Sequence, residues 1–584
     1  MIRTIAKRTG VASLVVGSAL LLGYSASAAP VSYERLLEAQ SEPHNWLLPY
    51  GSYNNANHSN LSQINTSNVG NLQVKFLHSI GGADFQTDAR FQMSPVVNDG
   101  FMYIANPWGE TFKFDVRTGT KATTLWINES EPEEGTRMRG SVALLEDYIY
   151  MFPAQYDMRM LKIDAESGET VWEVSTLLPE EEAARLDQRQ TINPLAVKDT
   201  LIGATTGTTR RNAVSGYSAE DGALKWRFYT IPGPGDPGHE TWAGDWDSWL
   251  TGGAAVWTQG AFDPETNLYY VGTGEPSPWY DPEFRPGDNL YTVTNLAIDV
   301  DTGELAWYFQ EIPDESWDYD TVNPKMLYDL TAGGVTTAVQ GHFSRNGYYY
   351  TLDRANGDFI GAEAYTAVNW TAGIDPKTGM PVEYDPNVLV QTYAPGKSMI
   401  AGDPTSSMNV CPYFYGMPTL MPATYDAARQ AAYIGAQAGC FSQTLDAPYP
   451  HESYVGKSRF GGERDRWING QTAGTIWAVD TTTGQLINKV KVPYSIYSGT
   501  LGTSGGLLFT AQLDGRISAF DKDTLAELWA FNAGTPVSSP PISYSIDGKQ
   551  YIAILTGGQD QSAMAGRDEL KLFKRSPSII VFGL

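Results

Sequence analysis

The sequence is poor in the residue types on which many metal, haem and nucleic-acid sites depend. Its 584 residues include only two cysteines and six histidines. The two cysteines are 29 positions apart, so a Cys-x-x-Cys-His attachment site for a c-type haem is impossible, and the scattered histidines lack the spacing of a zinc site. Lysine and arginine number 40 against 66 aspartates and glutamates, which gives a net charge of -26. Nucleic acid is thereby excluded as a partner, because the chain offers no basic footprint for its phosphates.

Long apolar runs are also missing from most of the chain. Downstream of residue 28, no stretch contains 18 uninterrupted apolar residues, so no membrane span is predicted. The first 28 residues instead combine basic residues, an apolar run over 11–24 and the small triplet Ala26-Ser27-Ala28. This arrangement is typical of a secretory signal peptide that is cleaved after Ala28. We therefore expect residues 1–28 to be a signal peptide and residues 29–584 to be a periplasmic protein.

The two cysteines, Cys411 and Cys440, have a structural interpretation in such a protein. Exported compartments are oxidising, so two cysteines favour a disulfide over two free thiols. A loop of this size makes the bond worth about 3 kcal/mol of stability.

Glycine, aromatic residues and one repeated turn are abundant. The chain has 58 glycines, and 12% of its residues are aromatic, which favours β-structure. Seven segments repeat a strand, a short turn that begins with Asp or Ser and usually ends on Gly, and a second strand that often carries Trp. They are 114–126, 163–172, 218–226, 298–307, 352–359, 479–486 and 520–529.

The intervals between these segments predict the fold. Most are roughly 40 to 55 residues, the length of a four-stranded blade. Two longer intervals contain further strand pairs, at 262–274 and 425–436. The first pair has the alternative of belonging to a neighbouring blade, so the count is about eight. The sequence therefore predicts an all-β, eight-bladed β-propeller with a binding site on its axis. The alternative, two unrelated β-sandwiches, would not repeat one turn signature along the chain.

Acidic and aromatic residues concentrate between 241 and 320. Trp257, Glu275, Asp318 and Asp320 fall in or beside turns at strand ends. Oxygen-rich side chains that converge from separate loops are what a hard cation requires. Taken alone, the Trp-Asp-Tyr-Asp segment has a simpler interpretation as a solvated acidic turn.

An ordered series of motifs covers nearly all of the mature chain: GGxxxW, GTGxPSPW, RPGDNLYT, WDYD and SRNG. Together they resemble the quinoprotein alcohol dehydrogenases, exported eight-bladed propellers that hold pyrroloquinoline quinone (PQQ) and a metal ion on the axis. The resemblance implies that Trp257 forms the floor under the quinone, that Asp318 is the catalytic base and that Arg345 contacts the reactive quinone carbonyl. The further cofactor contacts that it implies are Gln92, Arg139, Thr191, Thr206, Gly207 and Thr208.

Several positions depart from the usual pattern of that family. Thr209 stands where the family commonly has a glutamate ligand, and Glu275 stands where it has asparagine. The two changes offset each other in charge, so a cation would still meet a carboxylate, from the opposite side of the ring. Asp320 resembles the extra carboxylate of the lanthanide-using branch. The expected metal ligands are thus Glu275, Asp318 and Asp320, and both calcium and a lanthanide stay open as the ion.

The resemblance implies oxidation of an alcohol to an aldehyde or ketone by hydride transfer to PQQ, with a separate soluble cytochrome c as electron acceptor. The substrate and the number of subunits stay open, with a homodimer among the alternatives. Two other functions are compatible with the residues. One is a hydrolase or lyase that uses Asp318 with Arg210 and Arg211 on an anionic substrate, and the other is a non-catalytic envelope propeller.

Overall fold

A computed structural model of the chain describes residues 27–81, 91, 92, 94–130, 141–153, 157–179, 188–190, 192, 194–207, 211–244, 247–415, 420–448, 460–558 and 565–584. Helix within these ranges is short: α1 spans Tyr33–Leu37. The 3₁₀ helices are Ala39–Ser41, Val69–Asn71, His239–Thr241, Ser248–Thr251, Pro282–Phe284 and Asp568–Leu572. None of these described helices has the length and hydrophobicity that a membrane crossing requires.

The strands form successive small sheets. β1 (His58–Ser59) and β2 (Gln73–Ser79) come first in the chain. The next strands are β3 (Val96–Asn98), β4 (Phe101–Ala105), β5 (Glu110–Asp115) and β6 (Thr123–Glu129); β7 (Ala143–Leu145), β8 (Tyr148–Met151), β9 (Arg159–Asp164) and β10 (Thr170–Ser175); β11 (Gln188–Arg189), β12 (Leu195–Val197), β13 (Thr200–Gly207), β14 (Ala213–Ser218) and β15 (Leu224–Tyr229).

The second half of the chain repeats the arrangement. Its strands are β16 (Ala261–Asp263), β17 (Leu268–Gly272), β18 (Thr294–Asp299) and β19 (Leu305–Gln310); β20 (Met326–Ala332), β21 (Val335–Phe343), β22 (Tyr348–Asp353) and β23 (Phe359–Ala364); β24 (Thr424–Asp426), β25 (Ala431–Pro448), β26 (Gly462–Asp480) and β27 (Leu486–Val492); β28 (Leu501–Thr503), β29 (Leu507–Ala511), β30 (Arg516–Asp521) and β31 (Glu527–Asn532); β32 (Ile542–Ile546), β33 (Lys549–Thr556) and β34 (Ser578–Gly583).

The described strands make up eight sheets of four or five strands each. Seven of them contain one copy of the repeated turn. The eighth joins the two ends of the chain, because β2 pairs antiparallel with β34, from Gln73 opposite Gly583 to Ser79 opposite Ser578. An N-terminal strand that pairs in the last sheet closes the ring of sheets, because it ties the two ends of the chain together. The prediction of an all-β propeller is confirmed.

The extra strand pair in each of the two long intervals joins a sheet that already contains a copy of the repeated turn. The segment 262–274 contains β17, which pairs with β18, so it shares a sheet with the turn at 298–307. The segment 425–436 contains the start of β25, which pairs with β26 and so belongs with the turn at 479–486. Counting it as a further blade was wrong, and the eighth sheet is instead the one that β2 forms with β32, β33 and β34.

The repeated turn also makes contacts between neighbouring sheets, because it receives a tryptophan of the preceding sheet. Asp299 accepts the backbone N–H of Thr302 on its Oδ1 at 2.9 Å, which holds the turn between β18 and β19. Gly303 ends the turn at a φ of +75°. The indole of Trp226, from the preceding sheet, donates to the Val300 carbonyl at 2.7 Å. A Cβ on Gly303 would lie 2.6 Å from that indole, so only glycine fits.

The same contact recurs around the ring. Trp126, Trp172 and Trp307 donate to the carbonyls of Ala165, Glu220 and Arg354 in the sheet that follows each of them. Inner strands such as β4 are buried along their whole length, whereas β27 alternates between half-buried and exposed positions. The core therefore lies between neighbouring sheets on the inner side of the ring, and the outermost strands face solvent.

One hairpin is much longer than the others. β25 and β26 pair from Ala431 opposite Asp480 to Pro448 opposite Gly462. The predicted disulfide is formed, and it ties Cys411 in the loop before β24 to Cys440 in β25. Val410 and Phe441 exchange backbone hydrogen bonds beside it, at 2.7 and 2.9 Å. The hairpin is thereby fixed to the loop before β24, and Gln443 of β25 connects it to the acidic segment around 318 by donating to the Ser316 carbonyl at 3.2 Å.

Candidate active site

Glu275, Asp318 and Asp320 come together at one point. Each offers a carboxylate oxygen, and these oxygens lie within 4.8 Å of one another. Glu275 follows β17, and the two aspartates lie in the loop between β19 and β20. The backbone N–H of Glu275 donates to Asp320 Oδ1 at 2.9 Å, which joins the two segments directly. Their relative exposures are 7%, 2% and 3%, so the carboxylates face inward rather than solvent.

Ionisation of Glu275 is strongly disfavoured in this cluster. Burial raises the pKa of Glu275 well above its ordinary value, and the negative charges of Asp320 and Asp318 raise it further. A bound cation would remove this penalty, because hard cations take carboxylate oxygens as ligands. The cluster has the chemistry of a cation site.

The backbone at Asp318 is held in an unusual conformation. Its φ is +77°, in the left-handed region that non-glycine residues seldom adopt. Glu315 stabilises this turn, since its Oε1 accepts the backbone N–H of Trp317 at 2.6 Å and that of Tyr319 at 2.9 Å. The Trp317 indole donates to the Lys397 carbonyl at 2.6 Å. The residues on both sides of Asp318 are thus anchored, and its carboxylate is directed into the cluster.

Arg345 joins the cluster from the turn between β21 and β22. Its Nη1 lies 2.9 Å from Asp318 Oδ1 and 2.8 Å from Asp320 Oδ2, and it donates to the Asp318 carbonyl at 2.7 Å. Burial disfavours its charge, but the two aspartates outweigh burial and raise the pKa of Arg345. The guanidinium carbon is 5.5 Å from the ring centroid of Trp257. The predicted base, arginine and tryptophan floor are therefore neighbours.

Trp257 is half-buried, and the Asn212 side chain connects the segment that precedes it to Gly207. The Asn212 amide donates to the Gly207 carbonyl at 2.8 Å and to the Gly253 carbonyl at 2.6 Å. This side chain ties the end of β13, with Thr206 and Gly207, to the segment that leads to Trp257. Thr206 is itself buried.

Gln92 is buried on another part of the chain, next to Phe91, whose carbonyl accepts the hydroxyls of Ser538 and Ser539. Its Oε1 has no hydrogen-bond partner in the described part of the chain. A buried amide oxygen in this state is consistent with a ligand-binding role. Three other predicted contacts, Arg139, Thr191 and Thr208, lie outside the described residues, and so do Thr209 and Arg210.

Arg211, which the hydrolase alternative would use, faces away from the carboxylates. Its Nε donates to the Ile231 carbonyl at 2.8 Å, and its Nη2 lies 3.3 Å from Asp236 Oδ2. The guanidinium also stacks 4.2 Å from the ring centroid of Tyr229. These contacts give Arg211 a structural role in its own loop.

Two functional positions were missed by the sequence reasoning. Glu315 was not distinguished from the other acidic residues of the loop, although it lies three residues before Asp318. Arg466, on the long hairpin, reaches the opposite side of Asp318, with its Nη1 3.8 Å from Asp318 Oδ2. Burial lowers the pKa of Arg466 well below its ordinary value. No spacing rule relates Arg466 to Asp318, so only the hairpin register could have indicated the contact.

The family of the chain follows from comparison with known proteins. The profile described as the β-propeller domain of PQQ-dependent glucose, ethanol and alcohol dehydrogenases matches residues 46–368 and 467–552. The chain belongs to this family. Quinohemoprotein alcohol dehydrogenase ADH-IIG of Pseudomonas putida is 31% identical, over 97% of this chain and 81% of its own length. Methanol dehydrogenase [cytochrome c] subunit 1 of Paracoccus denitrificans is 30% identical, over 95% and 90%.

Solved structures agree with this assignment. The structure of ADHIIG from Pseudomonas putida HK5 has a TM-score of 0.82 and 28% identity, and covers 96% of this chain and 83% of that one. A europium-containing methanol dehydrogenase has a TM-score of 0.81 and 26% identity, with coverage of 94% and 100%. The predictions of the family and of a PQQ-dependent alcohol dehydrogenase as the enzyme class are confirmed.

Proposed function

We propose that the protein is a metal-dependent enzyme of the periplasm that oxidises an alcohol to an aldehyde or ketone with PQQ and passes the electrons to a separate soluble cytochrome c. One observation carries the metal and site assignment: three buried carboxylates within 4.8 Å of one another, next to an arginine that lies 5.5 Å from the Trp257 ring. The names of the Paracoccus methanol dehydrogenase and of the europium enzyme support the electron acceptor and the lanthanide alternative.

The residues present fit the cofactor and the ion. Trp257 offers a half-buried indole on which a flat quinone can stack. Arg345 Nε and Gln92 Oε1 are buried polar atoms without a partner among the described residues, and a quinone rich in oxygen and nitrogen could satisfy them. Glu275, Asp318 and Asp320 supply the oxygen ligands that either calcium or a lanthanide needs.

When bound, PQQ would supply a two-electron acceptor for the hydrogen on the carbinol carbon, and a cation held by Glu275, Asp318 and Asp320 would supply Lewis acidity. Asp318 accepts the hydroxyl proton of the alcohol. Its Oδ2 faces Tyr280 at 3.5 Å and Arg466 at 3.8 Å, away from the Arg345 contact on Oδ1. The positive charge of Arg345 stabilises negative charge that develops on the oxidant. Trp257 fixes the plane in which the oxidant lies.

Export and the electron acceptor are supported by the sequence. Residues 1–28 have the pattern of a signal peptide, which places the enzyme in the periplasm. The net charge of -26 would attract a basic cytochrome c and speed its encounter with the enzyme at low ionic strength.

Reconstitution tests the proposal. The purified protein is mixed with PQQ and either calcium or a lanthanide, and reduction of an artificial dye is followed with a panel of alcohols. We expect dye reduction that requires both PQQ and the ion. Asp318→Asn should abolish it, because the amide cannot take up the hydroxyl proton. Turnover that is indifferent to PQQ and metal would favour a hydrolase, and no turnover at all would favour a scaffold.

The control is Asp358→Asn, which makes the same change at an exposed turn. It should keep full activity. Circular dichroism and the melting temperature of Asp318→Asn establish whether its fold is intact. An Asp318→Asn enzyme that still reduces the dye would refute the assigned base.

A further inference from the structure

Arg466 is a buried cation that the proposed mechanism does not use. It lies on β26, opposite Gln443 of β25, whose amide donates to the Ser316 carbonyl at 3.2 Å. The hairpin is thus bound to the loop that carries Asp318. The Arg466 side chain is only 10% exposed, although the hairpin itself is at the surface. The positively charged guanidinium therefore lies inside the site rather than in solvent.

Aromatic rings fix the plane of the Arg466 guanidinium. Its central carbon lies 3.7 Å from the ring centroid of Phe414 and 4.8 Å from that of Tyr280. Stacking on aromatic faces is a preferred environment for arginine, and it leaves the edges of the fork available for hydrogen bonds. The group is therefore pre-organised before any ligand binds.

In the described part of the chain, only the Nη1 end of the Arg466 guanidinium has a neighbour of opposite charge. Nη1 is 3.8 Å from Asp318 Oδ2, which is beyond hydrogen-bond distance. Nε and Nη2 are both buried and have no hydrogen-bond partner in the described part of the chain. These two nitrogens form the side of the guanidinium that binds a carboxylate through two parallel hydrogen bonds. A buried, unpaired pair of donors is costly unless a ligand completes it.

We propose that the alcohol oxidised by this enzyme carries a carboxylate, and that the Nε–Nη2 edge of Arg466 binds this carboxylate while Asp318 receives the hydroxyl proton. The inference rests on the proposed alcohol oxidation. The short distance from Arg466 to Asp318 restricts the substrate to a hydroxy acid in which few bonds separate the carboxylate from the carbinol carbon. The carboxylate is unchanged in the reaction, so Arg466 determines specificity and not chemistry.

Matched substrates test this directly. The reconstituted holoenzyme is assayed with γ-hydroxybutyrate against butanol and with β-hydroxypropionate against propanol, and kcat/KM is measured for each. We expect the hydroxy acids to be preferred. Arg466→Gln should lower the ratio of hydroxy acid to plain alcohol by about a hundredfold, as expected for the loss of one partner from a buried charge pair. Arg466→Lys keeps the charge but not the fork and should restore only part of the ratio.

A second measurement does not depend on turnover. Butyrate, which lacks the hydroxyl, should bind to the holoenzyme in a calorimetric titration, and Arg466→Gln should abolish this binding. The matched control is Arg516→Gln, which removes a positive charge on an outer strand where Arg516 pairs with Glu527 at 2.5 Å. It should change neither the substrate ratio nor butyrate binding.

The outcomes separate the two hypotheses. If plain alcohols are oxidised without preference, or if Arg466→Gln lowers kcat/KM equally for both members of each pair, the carboxylate assignment is wrong and Arg466 positions Asp318 instead. If no alcohol is oxidised but butyrate binds in an Arg466-dependent manner, the anion subsite stands and the alcohol oxidation fails. If butyrate binds equally well to wild type and Arg466→Gln, the subsite is refuted whatever the activity.

Discussion

The third carboxylate, Asp320, should decide how strongly the site distinguishes a trivalent from a divalent ion. The oxygens of Glu275, Asp318 and Asp320 lie within 4.8 Å of one another, so an ion between them is in coordination range of all three. Asp320→Asn removes one negative charge and keeps the shape of the side chain. The oxygen of asparagine can still accept the Glu275 N–H, which Asp320 accepts at 2.9 Å. The asparagine NH2 then faces Arg345, which lies 2.8 Å from Asp320 Oδ2, so the comparison of two ions in the same variant, rather than either affinity alone, isolates the effect of charge.

The magnitude follows from Coulomb's law. Two unit charges about 4 Å apart interact by about 4 kcal/mol at an effective dielectric constant of about 20. A trivalent ion carries one more charge than calcium, so the loss of one carboxylate costs it about one such interaction more. After an allowance for relaxation and water, Asp320→Asn should weaken lanthanide binding at least about a hundredfold more than calcium binding.

Ion titrations measure this without PQQ or substrate. Terbium binding is followed by its luminescence, which nearby tryptophan and tyrosine rings sensitise, and calcium binding is followed by calorimetry. The control, Glu304→Gln, removes an exposed carboxylate from the turn between β18 and β19 and should leave both affinities unchanged. Equal weakening of the two ions by Asp320→Asn, or no weakening at all, would show that Asp320 is not a ligand.

Two further predictions concern the surroundings of the site and the fold. Glu315→Ala leaves the buried N–H groups of Trp317 and Tyr319 unpaired, so kcat should fall about tenfold to a hundredfold because Asp318 is misplaced. Glu315→Gln keeps the acceptor oxygen and should restore most of kcat. Equal losses of kcat in both variants would contradict this positioning role. His58 has its pKa lowered to about 4 by burial and by Lys522, so the unfolded chain binds more protons than the folded one between pH 6.5 and 4, and stability is lost as the pH falls through that range. Urea unfolding should show up to about 3 kcal/mol of this loss disappearing in His58→Asn, and an unchanged pH dependence would show that His58 is not its source.

Much of the architecture was predictable because the chain repeats itself. The Asp-to-Gly turn is visible in the sequence, and its spacing is that of a blade. The sequence does not show that the tryptophans of four repeats pack on the turn of the following sheet, as Trp226 does on Gly303. This contact links residues 77 positions apart, whereas periodicity reports only the local strand pair. The same reasoning could not assign the segment 262–274 to its sheet, because β17 pairs with β18 across a long acidic loop.

The candidate site likewise has residues that short motifs indicated and residues that no motif indicated. Glu275, Asp318, Asp320, Arg345 and Trp257 stand in short motifs, and the structure brings them together. The roles assigned to them stay predictions, as do those of the contacts outside the described ranges.

The other two residues of the site depend on geometry that no motif encodes. Glu315 acts through backbone N–H groups that converge only once Asp318 adopts a positive φ. Arg466 reaches the site because the long hairpin pairs it opposite Gln443. A shift of one residue in that register would direct the guanidinium to the other face of the hairpin.

The two arginines of the site, Arg345 and Arg466, differ in how far neighbouring carboxylates compensate their charges. Arg345 is bound by Asp318 and Asp320 at 2.9 and 2.8 Å, so its charge is already compensated in the ligand-free site. A cation bound by these carboxylates would compete with Arg345 for them and would leave the guanidinium free to contact an oxidant stacked on Trp257, whose ring centroid is 5.5 Å away. The Nε–Nη2 edge of Arg466 has no such partner in the described part of the chain. An unpaired buried charge is costly, so this edge is where the carboxylate of the proposed substrate would bind, while Arg345 would serve the oxidant.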